Sequence, residues 1–378
     1  MRENIRSKHR LAIDDWLLRN GHPRYRCGQI LHWLYSRRVT DWEAMGNVPK
    51  ALRQALSEEF EICLPELVRQ QEAGDSTRKY LWRLKDGAFI ESVLIPANPA
   101  QAGVASDRKT LCVSTQVGCA YGCVFCASGL DGWKRNLAPD EIVGQVLAAE
   151  TQAREETSGG DGAASRSEIE RKGGERQVDN LVFMGMGEPL ANYDNLLKAL
   201  SILNADWGVG IGARRITIST SGLVPQIRQL AEEPAQYRLA ISLHGPTDEV
   251  RRQVMPVSKR HPLAELMEAC EYFSQKRGKV ITLEYILIEG VNDAVSLADS
   301  LSKLAHQLRA KVNLIPYNMV DGLKWRRPSV EQQEQFFRAL CDRGVRVTLR
   351  RVKGHDIDAA CGQLRLKAER RKASETAV

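Results

Sequence analysis

Cys119, Cys123 and Cys126 fall within eight residues in a C-x3-C-x2-C pattern, close enough for three thiolates to converge on one centre. Thiolate ligands select soft metals: zinc, copper(I) or iron-sulfur clusters. A structural zinc site is closed by four ligands, so a set of three is one short. Either a fourth ligand comes from elsewhere in a chain with nine cysteines, or one coordination position is kept open. Zinc is the commoner metal for closely spaced cysteines in intracellular chains, but this is not a usual zinc-knuckle spacing. On a cubane 4Fe-4S cluster, three cysteines leave the fourth iron open to a substrate or cofactor. The spacing by itself admits both metals.

Other residues of catalytic type follow apolar runs. Gly185-Met-Gly-Glu-Pro189 suits a cofactor site, because glycines at 185 and 187 let backbone come close to a ligand and Glu188 can hold an ammonium group. Ser219, the segment Ser242-Leu243-His244, and Asn318 offer hydrogen bonds to a ribose, a carboxylate or an adenine. Loop capping accounts for each of them singly, and for His244 a structural role comes first. Of the remaining cysteines, Cys27, Cys63, Cys270 and Cys341 lie in helical patterns and read as packed, inert thiols. Cys361, in the small-residue stretch 354–362, and Cys112, just ahead of the triple-cysteine motif, are nucleophile candidates. Glu91 sits inside a strand pattern, where alternation alone makes it solvent-facing.

Those residues need elements to position them. Residues 1–65 read as helical: Ile30, Leu31, Trp33 and Leu34 form an apolar stripe, and Pro49 and Lys50 open a helix over 51–60 with Leu52 and Leu56 four apart. From Arg78 the period becomes two, predicting strands over 79–84 and 88–95 around an Asp86-Gly87 turn. Beyond Lys109, strand-like runs at 111–114, 180–184, 215–219, 237–242, 281–288, 311–315 and 346–349 alternate with helical patterns over 139–151, 195–203, 263–275, 294–308 and 330–343. Alternating β and α predicts a parallel sheet, and this many units a full or partial barrel. The C-terminal ends of such strands build active sites, and the candidate residues follow strand after strand. The stretch 154–177 is charged, rich in glycine and serine, and expected to be a disordered insertion.

The chain has 378 residues, 43% of them hydrophobic and 27% charged, which is ordinary for a soluble α/β protein. No apolar run suggests a membrane span, and the basic N-terminal stretch lacks the apolar region of a signal peptide. A cytoplasmic location is expected, where thiols stay reduced. The net charge of +7, with basic runs at 251–252, 324–327 and 350–353, favours a polyanionic partner such as RNA or DNA.

The motifs in order, Cys112-Val-Ser-Thr-Gln-Val-Gly-Cys-Ala-Tyr-Gly-Cys-Val-Phe-Cys126, Phe183-Met-Gly-Met-Gly-Glu-Pro-Leu190, Ile218-Ser-Thr-Ser-Gly222, Ala240-Ile-Ser-Leu-His244 and Asp356-Ile-Asp-Ala-Ala-Cys-Gly-Gln363, resemble the RlmN/Cfr family of radical S-adenosylmethionine (SAM) RNA methyltransferases, the RlmN branch being the nearer. The resemblance runs from about Arg24 to Arg365. It implies a partial (β/α)6-type radical SAM barrel in residues 108–365, with 153–178 as the insertion. An N-terminal helical accessory domain (1–75), a β-hairpin connector (76–107) and a basic tail (366–378) complete the expected division.

The implied activity is methylation of C2 of an adenosine in 23S rRNA at the peptidyl-transferase centre and of the adenosine 3′ of the tRNA anticodon. One 4Fe-4S cluster would sit on Cys119, Cys123 and Cys126, and SAM, two molecules per turnover, would be contacted by Gly187, Glu188, Ser219, Ser242, Leu243, His244 and Asn318. Cys361 would become S-methylcysteine, Cys112 would resolve a protein-RNA thioether, and Glu91 would accept a proton. A monomer supplied by an electron donor such as flavodoxin is expected. Ser128, Gly245 and Ser258 stand where the family pattern has threonine, alanine and asparagine, and the loop 96–107 is longer. The alternatives are Cfr-like methylation at C8 of the same rRNA adenosine, and a zinc-stabilised RNA-binding protein without catalysis.

Overall fold

The computed structural model describes residues 2–97, 108–158, 176–320 and 322–350, together with Arg365 and Ala368. The first sixty residues wrap three helices, α1 (Arg10–Arg19), α2 (Tyr25–Leu31) and α3 (Lys50–Glu59), between two short parallel strands, β1 (Glu3–Asn4) and β2 (Phe60–Glu61). Leu52 and Leu56 are buried on α3, and Ile30, Leu31 and Leu34 on and after α2, as the apolar spacing predicts. This unit is fastened to the barrel. Asp140, in the first turn of α4 (Pro139–Ser158), accepts from Asn4 Nδ2 at 3.0 Å and from Ser7 Oγ, and Arg38 pairs with Glu150 further along the same helix.

The chain then enters a ten-stranded sheet. Strands β3 (Glu66–Glu72), β4 (Arg78–Arg83) and β5 (Phe89–Pro96) form an antiparallel run, with Gly87 in the left-handed region at the expected Asp86-Gly87 turn. β3 is an exposed edge strand that its polar sequence hides from pattern reading. β5 pairs antiparallel with β6 (Lys109–Cys112), which opens the barrel. A hairpin of β7 (Gln116–Gly118) and β8 (Trp133–Asn136) follows, then β9 (Asn180–Phe183), β10 (Ile216–Thr220), β11 (Arg238–Ser242), β12 (Thr282–Leu287), β13 (Lys311–Pro316) and β14 (Arg346–Leu349). From β6 and β9 onward each strand lies parallel beside its predecessor, so the sheet curls in one sense into a partial barrel.

Helices connect the parallel strands: α5 (Tyr193–Asn204), α6 (Val224–Glu232), α7 (Asp248–Val254), α8 (Leu263–Arg277), α9 (Leu297–Gln307) and α10 (Val330–Asp342). Their ends carry local signals. Thr247 caps α7 through Val250 N, Ser329 caps α10 through Gln332 N, and Gly278, left-handed, stops α8. α6 and α7 lie outside the expected helical patterns. α4 runs on to Ser158, into the stretch expected to be disordered, while residues 159–175 lie outside the described residues. One apolar core runs from Ile5 through Val345 and joins the N-terminal unit to the barrel. No helix among the described residues is long and apolar enough to cross a membrane.

Several expectations about single residues need correcting. Arg251, counted in a basic surface run, is fully buried. Cys341 is exposed rather than packed, and Cys63 is half-buried in the link between β2 and β3 rather than on a helix. Glu91 does not face solvent but is 1% exposed. For Arg251 and Glu91 the neighbours come from other elements of the fold, which periodicity does not see.

Candidate active site

The β7–β8 hairpin frames the cysteine loop. Gly118 bends the chain at a φ of +77°, and a Cβ there would lie 2.0 Å from the Gly132 carbonyl oxygen, so glycine is obligatory. Cys119 N donates to Gly132 O at 3.0 Å and Cys126 N to Cys123 O at 3.0 Å. The loop is held from outside as well: Val124 N donates to Val254 O at 3.1 Å and Trp325 Nε1 to Val124 O at 2.8 Å. Part of the 324–327 basic run therefore buttresses this loop. All three cysteines line one cavity of about 300 Å³. Burial pushes the Cys119 thiol up to about 12 and the Cys123 thiol well above the ordinary range, and neighbouring cysteines add to both shifts. Thiolates so placed need a cation among them.

The cavity opens at the C-terminal ends of β9 to β13. Gly187, Glu188, Ser219, Ser242, His244 and Asn318 all line it. Glu188 spends both carboxylate oxygens on backbone, accepting from Ser221 N at 2.7 Å and Leu190 N at 3.1 Å, and burial raises its pKa. Ser219 Oγ and Ser242 Oγ lie 3.5 Å apart. His244 has a φ of 54° and is braced by Ile286 N, which donates to its Nδ1 at 3.1 Å. That bond puts the ring proton on Nε2, and burial lowers the pKa to about 3, so the imidazole is neutral. Phe125 of the cysteine loop meets the ring edge-on with centroids 5.0 Å apart. His244 is thus both structural brace and cavity wall. Leu243 is buried, and its N donates to Glu284 O at 3.0 Å. Asn318 Oδ1 accepts from Arg327.

Two charged residues of the site escaped sequence reasoning. Arg251 lies beneath the loops after β10 and β11, donating to Leu243 O at 3.2 Å, His261 O at 3.5 Å and Ser221 O, and burial lowers its pKa to about 10. Its approach to Cys123 offsets part of that lowering. Glu284, in the middle of β12, lines the cavity, with its pKa raised to about 7 by burial. An acid inside the apolar run Ile281 to Ile288 was the signal that could have found it.

Glu91 lies apart from the cavity wall. Its carboxylate pairs with buried Lys79 at 2.9 Å, and Oε1 accepts from Arg365 N at 2.6 Å. Cys112 is buried at the end of β6, opposite Val93 on the strand that carries Glu91. Cys361 lies outside the described residues. Of the residues flanking it, Arg350 lines the cavity, and Arg365 pairs with Asp131 at 3.4 Å in the turn before β8.

Residues 113–299 match the Radical SAM superfamily, and residues 3–62 match the Ribosomal RNA large subunit methyltransferase N-terminal domain. A protein described as dual-specificity RNA methyltransferase RlmN 3, from Opitutus terrae, is 55% identical over 356 residues, 94% of this chain and 92% of the relative. The chain belongs to the RlmN family of radical SAM RNA methyltransferases. An RlmN relative from Akkermansia muciniphila is 50% identical over 96% of this chain and 95% of its own. The crystal structure of a radical SAM methyltransferase from Sphaerobacter thermophilus superposes with a TM-score of 0.85 at 41% identity, covering 96% of this chain and 98% of that one. RlmN membership implies SAM and a 4Fe-4S cluster, and the donor set fits both. Three soft sulfur donors edge the cavity, while among the described residues no three Cys, His, Asp or Glu side chains close on a single ion. The polar wall opposite them suits a zwitterionic nucleoside.

Proposed function

We propose that this enzyme methylates C2 of an adenosine in 23S rRNA at the peptidyl-transferase centre and of the adenosine 3′ of the tRNA anticodon. The observation that carries the reading is the meeting of Cys119, Cys123 and Cys126 with Gly187, Glu188, Ser219, Ser242, His244 and Asn318 around one cavity. Close relatives described as dual-specificity RNA methyltransferases support the choice of substrates. Tyr25, exposed with Arg26 stacked 4.8 Å over its ring, offers a surface suited to RNA. In this reading residues 1–75 are the accessory domain, 76–107 the connector, 108–365 the catalytic core and 366–378 a basic tail.

Carbon 2 of adenine is electron-poor and has no lone pair, so ordinary attack on a sulfonium methyl group fails. SAM, two molecules per turnover with one electron from a donor such as flavodoxin, supplies a methyl group and a 5′-deoxyadenosyl radical. Cys119, Cys123 and Cys126 hold the cluster. Cys361 would carry the methyl group as S-methylcysteine, give one hydrogen atom to the 5′-deoxyadenosyl radical and bond its carbon to C2; Glu91 would take the C2 proton as one electron returns to the donor side. Cys112 would attack the Cys361 sulfur and break its bond to the methylene carbon, which takes up a proton, leaving a disulfide for an external thiol reductant. The burial of Glu91 against Lys79, the place of Cys112 on the neighbouring strand, and the docking of Arg365 on Glu91 support this division. The target base must leave its stack, which an RNA loop allows at low cost.

Anaerobic turnover with rRNA and tRNA fragments, followed by nucleoside mass spectrometry, tests the reading. The expected product is 2-methyladenosine; 8-methyladenosine overturns the regiochemistry, and iron-free, zinc-loaded protein without SAM cleavage overturns the enzyme assignment. Cys112→Ala should load the methyl group yet remain covalently linked to RNA through Cys361.

A further inference from the structure

Ser242, Glu284 and Asn313 face one another in register across β11, β12 and β13. Parallel neighbours lie about 4.8 Å apart, so these side chains form a polar row at one level of the barrel wall. Glu284 is 5% exposed, and its Oε2 accepts from Asn313 Nδ2 at 2.7 Å. Oε1 takes no hydrogen bond from any described residue, yet it is not among the atoms sealed from solvent without a partner, so it opens onto the cavity that Glu284 lines. The other acid of the wall, Glu188, has both oxygens committed to backbone N–H groups. A buried carboxylate with one hydrogen bond is unfavourable unless a donor reaches the second oxygen. Arg350, also in the cavity wall, favours the ionised carboxylate electrostatically but makes no hydrogen bond or ion pair with it, so holding Asn313 and facing Arg350 leave that oxygen without a donor.

Resting on the assignment of the cavity to SAM, the geometry points to Glu284 as a further binding residue, whose Oε1 accepts a hydrogen bond from a ribose hydroxyl of the bound cofactor. A hydroxyl suits the position because the hydrogen bond it donates favours the ionised form of Glu284, which is a pure acceptor, and Ser242 Oγ on the adjacent strand can serve the neighbouring hydroxyl of a vicinal diol. The cofactor, rather than the ribose of the RNA, is the source because the row shares its cavity with the cluster cysteines.

Equilibrium binding of SAM and of its 2′-deoxy and 3′-deoxy analogues to anaerobically reconstituted protein tests this without turnover. The wild type should lose about ten- to a hundredfold in affinity when the contacted hydroxyl is removed, the range for a hydrogen bond to a charged group. Glu284→Ala should lose a similar factor for SAM and bind SAM and that analogue almost equally. Glu284→Gln, which keeps the shape, should fall between the two and serves where the alanine variant takes up no iron. Variants that discriminate against the deoxy analogue as the wild type does overturn the inference. So do variants that bind SAM normally but lose sensitivity to the 2′-hydroxyl of the target nucleotide, since the contact then belongs to the RNA. Wild-type protein that binds no SAM refutes the proposed function instead, a distinct outcome.

Discussion

Arg251 and Glu284 are buried around the cavity without an ion-pair partner among the described residues, unlike Glu91, which pairs with buried Lys79. Arg251 is satisfied by three backbone carbonyls, and among the described residues no carboxylate forms an ion pair with it. Arg251→Met should strand those carbonyls beneath the loops that carry Ser221 and Leu243. A loss of about 3 kcal/mol, seen as a lower denaturation midpoint, is expected, with lysine restoring little because it cannot reach three acceptors at once. Glu284 makes a pH-dependent contribution. Its folded pKa of about 7 lies above the ordinary 4.5, so between those values the unfolded chain has released a proton that the folded chain keeps. Stability therefore falls as pH rises through this window. Glu284→Gln should remove that part of the decline, gaining roughly 2–3 kcal/mol on the wild type between pH 5 and pH 8 in denaturant titrations of the apoprotein.

The cysteine hairpin is the element on which the metal centre depends, and two of its glycines separate steric need from conformational preference. Gly118 and Gly122 both have positive φ, at +77° and +59°. A Cβ at 118 collides with the Gly132 carbonyl, whereas one at 122 meets nothing within 4 Å. Gly118→Ala should break the β7–β8 pairing and abolish iron uptake, while Gly122→Ala should cost about 1 kcal/mol and leave iron per chain unchanged after reconstitution. Neither glycine can be ranked from the motif, because the obstructing carbonyl lies fourteen residues further on. The parallel strands were legible for a different reason. Their apolar runs are long enough to bury both faces, and each is followed at once by a polar or glycine-rich loop. β3, mostly polar at the sheet edge, has no such run, and α7 is too short to show a period, whereas α6 carries a readable helical stripe of Val224, Ile227, Leu230 and Ala231.

At the scale of the whole molecule, the N-terminal unit and the barrel share one core and are pinned through Asp140, so in the proposed function an RNA that touches the first would meet a fixed cavity rather than one on a tether. The net charge of +7 leads us to expect phosphate contacts to contribute much of the RNA affinity. RNA binding should weaken on the order of a hundredfold or more between roughly 50 and 200 mM salt, while SAM binding, held by enclosed hydrogen bonds, should change little. Filter binding and equilibrium dialysis on the same sample check both halves.

The order of strands and loops, the cysteine spacing and the polar ends of the barrel strands were determined by sequence alone, since turn chemistry, side-chain period and ligand spacing are properties of neighbouring residues. Tertiary structure decided which charges are inside. Arg251 belonged to a basic pair and Glu91 to an alternating strand until folding set one beneath the cofactor loops and the other between Lys79 and Arg365. Burial of a charge depends on partners in other elements, from 8 residues away for Leu243 and Arg251 to 274 for Arg365 and Glu91, and no local pattern records them.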